Sequence, residues 1–159
     1  MASVARTIVE TMKSVISVNH ASGFDLSDGD AVKIGQYFGP STVAGPFVWV
    51  NPESIASSAS SPQLGRYTRD LVVTAAGYIG ATDDDSESRV VNALDLMHYV
   101  WTAVENDVRT TGGTLFATDD IIDVVAVGTA FDGGEMNIAP GMGVFYATFT
   151  FTYQTTRGL

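Results

Sequence analysis

"GVFYATFTFTYQTTRGL", residues 143–159, decides the fold. Phe145, Ala147, Phe149, Phe151 and Tyr153 fall on one side of it, and Tyr146, Thr148, Thr150, Thr152 and Gln154 on the other. A two-residue period with one apolar side is the mark of a β-strand with one buried face. A strand this long with so strong a pattern belongs in the middle of a sheet, or at an edge shared with a neighbour. Working outward from it, "DDIIDVVAVGTAF" (119–131) reads as a further strand. It is nearly continuous in apolar residues, as expected when both faces are covered. The two are joined by "DGGEMNIAPGM" (132–142), which is long for a simple hairpin.

Towards the N-terminus, Leu71, Val73, Ala75 and Ile79 share a parity within "GRYTRDLVVTAAGYIGA" and mark another strand. "PFVWV" (46–50) reads as a strand that Pro52 stops, with "ESIASSASSPQ" as the loop that follows. "AVKIGQYF" (31–38) is a candidate short strand. Two helices are expected. The first runs from about Ser3 to Val18, with Val4, Ile8, Met12 and Val15 as its stripe, widened by Ala5, Val9 and Ile16, and with Ser3 as cap. The second runs from about Glu87 to Arg109. Its predicted apolar stripe is Val90, Leu94, Met97, Trp101, Val104 and Val108, with Asn92, Asp95, Tyr99, Thr102, Asn106 and Arg109 opposite. Ser86 or an aspartate of "TDDDSES" caps its start, and the glycines of "TTGG" end it. The order is helix, two strands, long helix, two strands. It predicts an α+β fold: a mainly antiparallel four-stranded sheet packed by an N-terminal helix and one long amphipathic helix, in a single domain over 1–159.

Composition narrows the function. At 159 residues and 45% apolar, folding is expected to bury roughly 70% of the unfolded chain's surface. Eighteen acids against eight bases give a formal charge of −10, which argues against a domain that grips phosphate backbones. With no cysteine, disulfides and thiolate sites are excluded. "MASVARTIVETMKSVISV" carries Arg6, Glu10 and Lys13 and is not expected to be a signal peptide. No run approaches the roughly 20 apolar residues of a membrane span. A soluble chain folding in a reducing cytoplasm is the expectation.

No phosphate loop, dinucleotide fingerprint or nucleophile elbow is present. His20 and His98 are far apart, and His98 reads as a helix-flank histidine near Asp95 or Glu105. Asp25, Asp28 and Asp30 offer oxygen ligands but do not match a calcium loop, so they read as solvated loop charge. Asp83, Asp84 and Asp85 are accounted for by helix capping, and Asp119 and Asp120 by the end of a turn. Tyr37, Phe38, Phe47 and Trp49 are either a partner surface or, the favoured reading, core or under-loop packing. No catalytic residue, cofactor or metal is therefore expected, and the chain is expected not to be an enzyme.

The order of elements resembles the tail terminator proteins of long-tailed bacteriophages. The resemblance rests on "FVWVNPES", "RYTRDLVVTAAGYIGA", "ALDLMHYVWTAVENDVRTTGG", "DIIDVVAVGTAFDGG" and the closing "GVFYATFTFTYQTTRGL". It implies a structural virion protein, found in the neck region of the tail and assembled in the host cytoplasm. Such a protein forms a homo-oligomeric, six-membered ring on the tail tube, ends tube growth and joins the tail to the neck. The implied partners are the tail tube protein, a neck or head–tail connector protein and, where the tail has one, the sheath protein. DNA passes through the lumen without specific binding, and no membrane is involved. The candidate contact residues are Gly133, Gly134, Glu135, Met136, Asn137, Ile138 and Met142 of the connector, and Arg157. Two alternatives stay open: a related tail-completion or head–tail connector protein, and a small-ligand-binding α+β module that dimerises through its sheet.

Overall fold

A computed structural model describes residues 3–18, 24–26, 31–35, 46–57, 66–80, 85–109, 121–133 and 141–156. The elements are α1 (Val4–Val18), β1 (Val32–Ile34), β2 (Phe47–Ser57), β3 (Arg66–Gly80), α2 (Ser86–Arg109), β4 (Ile121–Asp132) and β5 (Met142–Thr156). The strands form one sheet in the order β1-β2-β3-β5-β4. The α+β class holds, but the sheet has five strands and is mixed. Within "AVKIGQYF", Val32–Ile34 pairs parallel with Val48–Val50, while the four long strands pair antiparallel. The closing stretch takes a central position: β5 lies between β3 and β4, in register with β3 from Met142 to Thr156.

Both helices pack on one face of this sheet. Into that layer β5 sends Phe145, Ala147, Phe149, Phe151 and Tyr153, β3 sends Leu71, Val73 and Ala75, and β2 sends Val48 and Val50. Ile8, Val9, Met12, Val15 and Ile16 of α1 complete the core on the β1–β2 side. Ser3 Oγ accepts the Arg6 N–H at 3.3 Å, the expected cap.

Three sequence expectations need correcting. Pro52 does not stop β2, which runs on through part of the expected loop to Ser57. Val48 donates its N–H to Ala31, and Val50 accepts from Gly35. Two residues on, Pro52 faces the same outer side just where β1 has ended, so its missing N–H breaks no ladder bond. A register shift follows between Pro52 and Ser54.

The second correction concerns α2, whose buried face is rotated from the predicted stripe. Ala93, Leu96, Met97, Val100, Ala103 and Val104 are buried, whereas Leu94 is exposed. Tyr99, read as polar-side, is buried, with its ring 5.9 Å from Phe24 and its hydroxyl donating to Ile16 O at 2.9 Å. Close approach is the reason. A Cβ on Gly143 would lie 2.0 Å from the Arg89 carbonyl oxygen, and one on Gly128 2.7 Å from Met97 Sδ. A helix seated this low turns its small residues, Ala93 and Ala103, to the sheet; hydrophobicity alone underrates them.

The third correction is β4. It is an edge strand covered on one face only, with Ile122, Val125 and Val127 exposed on the other face or edge. The glycines of "TTGG" lie outside the described residues.

Candidate functional site

The connector between β4 and β5 carries most of the predicted contact residues, and the structure defines its base. Gly133 donates its N–H to Met142 O at 3.0 Å, so the chain leaves and re-enters the sheet at one place. Asp132 sits opposite Gly143 in the last rung below it. A buried ion pair clamps this base to the first turn of α2. Arg89 Nε donates to Asp132 Oδ1 and its terminal nitrogen to Oδ2, both at 3.0 Å, with the side chains only 14% and 4% exposed. Two parallel charge-assisted bonds fix direction as well as distance. Gly133 is buried and Met142 half-buried. Gly134, Glu135, Met136, Asn137, Ile138 and Arg157 lie outside the described residues. The sequence reading missed the Arg89–Asp132 pair, because the two residues are 43 positions apart and Asp132 looked like part of a turn.

α2 begins where the capping reading put it. Asp85 Oδ1 accepts the Glu87 N–H at 3.2 Å, and Asp85 O accepts that of Arg89. His98 and Asp95 lie on the exposed side of α2, and Asp25 is exposed. His20, Asp28, Asp30, Asp83, Asp84, Asp119 and Asp120 lie outside the described residues. Among the described residues, no three or more His, Asp or Glu gather as a set of metal ligands. No helix among them is long and apolar enough to cross a membrane.

The face of the sheet away from the helices is chemically zoned. Near the connector an aromatic band crosses four strands. Phe47 meets Trp49 at 5.6 Å and Trp49 meets Tyr78 at 4.7 Å, both edge-on. Tyr78 neighbours Tyr146, which stacks on Phe131 at 5.8 Å. Such pairs add about 0.5–1.5 kcal/mol each beyond the area they bury. Phe47 and Trp49 are buried, as the packing reading expected; Tyr37 and Phe38 lie outside the described residues. Burial and the neighbouring Tyr146 raise the pKa of Tyr78. Burial likewise raises Tyr99, assisted by Asp25, and Tyr153, against the opposing influence of Arg69. Beyond the aromatic band lie threonines tied across strands: Thr74 to Thr148 at 3.2 Å, and Thr152 to Asp70 at 2.7 Å.

A groove of about 620 Å³ opens between the first turns of α1 and the second half of β2. Val9, Ile34, Ile55 and Leu71 give it an apolar lining, and the exposed Arg6–Glu10 pair, at 2.7 Å, stands on its rim. The chain matches no protein-family model and no curated protein sequence.

Proposed function

We propose that this chain is a structural ring subunit of the tail terminator type, ending growth of a phage tail tube and joining it to the neck. The observation that carries the reading is the clamped β4–β5 hairpin. A ring subunit must hold a contact loop at a fixed height and angle against its neighbours. Here the loop's base is closed by the Gly133–Met142 bond and locked to α2 through Arg89 and Asp132. The element order α1, β2, β3, α2, β4, β5 supports the same reading. In this role residues 134–138, Met142 and Arg157 touch the next subunit or the adjoining ring, and the buried Gly133 anchors the loop. Methionines at 136 and 142 adapt to irregular partner surfaces. Head-to-tail contacts that close generate the ring. Six copies carry a formal charge of about −60, and acids facing the lumen let DNA slide without being held.

The test is tail length, by negative-stain microscopy, in lysates of the parent phage lacking this chain. Overlong, headless tails are the expected result. Normal tails beside filled heads favour a completion or connector role, and intact virions refute the neck reading. The groove between α1 and β2 favours a second reading, a small-ligand-binding module. A ligand that copurifies, and is lost on Ile55→Lys, a change at a groove residue that is 51% exposed, is its signature.

A further inference from the structure

The two edges of the sheet are built differently. On the β1 side, pairing is closed off: β1 has three residues and carries Lys33, and β2 beyond it carries Pro52, a register shift and the exposed Glu53. Lysine, proline, bulges and short strands are the devices that keep an edge from pairing with another chain. β4 begins with a register shift between Ile121 and Asp123, and the Asp123 carboxylate accepts the Val124 N–H at 2.9 Å, but from Val124 to Phe131 the edge carries none of these devices. Those eight residues contain no charge and no proline, and their register with β5 is unbroken. No strand among the described residues pairs with the outer side of β4. Its side chains are apolar where solvent lies: Ile122 is 54% exposed, Val125 56% and Val127 68%. The apolar run of β4 is that of a strand covered on both faces, yet within one copy only one face is covered.

We propose that β4 pairs antiparallel with β4 of a second copy about a two-fold axis, giving one continuous ten-stranded sheet. The occupant follows from charge and from the other edge. Copies carrying −10 each repel overall, and residues 124–131 form an uncharged line along which two can approach. The opposite edge is guarded, so the complementary surface for β4 is β4 itself, an isologous contact. The pairing satisfies the outward N–H and C=O groups of both strands and sets the valines of each copy beside those of the other. The paired line is about 27 Å long. A single strand pair covers less than the roughly 800 Å² per partner of a standard interface, so the dimer dissociates on dilution. This inference goes beyond the ring reading, because it concerns the free protein; the ring uses the connector.

The experiment is sedimentation velocity on the full chain over a wide concentration range, beside Val125→Lys/Val127→Lys. These side chains are exposed, and circular dichroism with a thermal melt checks that the variant folds. The wild type is expected to approach a mass of about 34 kDa, twice the 16.8 kDa chain, as concentration rises. The variant, with like charges set across the two-fold, is expected to associate at least roughly tenfold more weakly. Hydrogen exchange of amides 124–131 that slows with concentration in the wild type supports the same contact, and keeps the test open should the variant misfold. A wild type that is monomeric throughout, or a dimer the lysines leave intact, overturns the proposal. A hexamer untouched by the lysines overturns it while leaving the ring in place. A hexamer dispersed by them moves β4 into the ring and overturns the two-fold pairing.

Discussion

Cutting the clamp at the base of the β4–β5 hairpin has a calculable cost. Arg89→Met removes two charge-assisted donors from the Asp132 carboxylate, which is only 4% exposed. Breaking a buried, hydrogen-bonded ion pair by deleting one partner costs about 3–5 kcal/mol, since the remaining charge keeps its desolvation penalty. Asp132→Leu falls at the lower end of that range, because the Arg89 side chain, 14% exposed, reaches more water. Against a total stability of about 5–15 kcal/mol, either loss is large. A chain of this size loses roughly 2–4 °C of melting temperature per kcal/mol, so a drop on the order of 10 °C is expected. The double variant Arg89→Met/Asp132→Leu removes both charges and fills the site with apolar groups, and should lie within about 2 kcal/mol of the wild type. Urea unfolding of the four proteins closes a double-mutant cycle. Single losses below about 1 kcal/mol, or losses that simply add in the double variant, would refute the claim that this pair clamps the hairpin to α2.

Gly143→Ala should cost more than the roughly 1–3 kcal/mol of ordinary overpacking, because its Cβ meets a backbone oxygen, that of Arg89, and not a movable side chain; a denaturant midpoint close to wild type would sink the point. Phe149→Ala, at a site with no exposed surface between Val73 and Ala126, should lose about 3–5 kcal/mol in the same assay. Stability should fall as pH rises through and beyond about 10. Tyr78, Tyr99 and Tyr153 have folded pKa values above the unfolded one, so their neutral forms stabilise the fold fully below that pH, and the gain is lost as the unfolded chain ionises. Tyr99→Phe should flatten this alkaline limb while costing about 1–2 kcal/mol at neutral pH, as the Ile16 carbonyl loses its donor; an unchanged limb would show that Tyr99 does not contribute.

By itself the sequence determined the class, the two helices and the closing strand. Those signals are local: Phe145 to Tyr153 alternate at the strand period, Ile8, Met12 and Val15 recur at the helix period, and Ser3 and Asp85 cap within a few residues of themselves. Of the candidate site, the length of the connector was legible as more than a simple hairpin, whereas the closure of its base, with Gly133 N–H on Met142 O, was not.

Tertiary structure decided what depends on partners far along the chain. Pro52 is tolerated because β1 has ended beside it, and no local rule says where β1 ends. α2 is rotated from its predicted stripe because glycines at 128 and 143 let it sit low on the sheet, so that Ala93 counts as core and Leu94 does not. Arg89 and Asp132 become a pair only once β4 lies under α2. The order β3-β5-β4 then makes β4 an edge and turns a run of valines that reads as interior into exposed surface. Periodicity records which residues avoid water; which surface shelters them is set by packing between elements that the chain brings together from a distance.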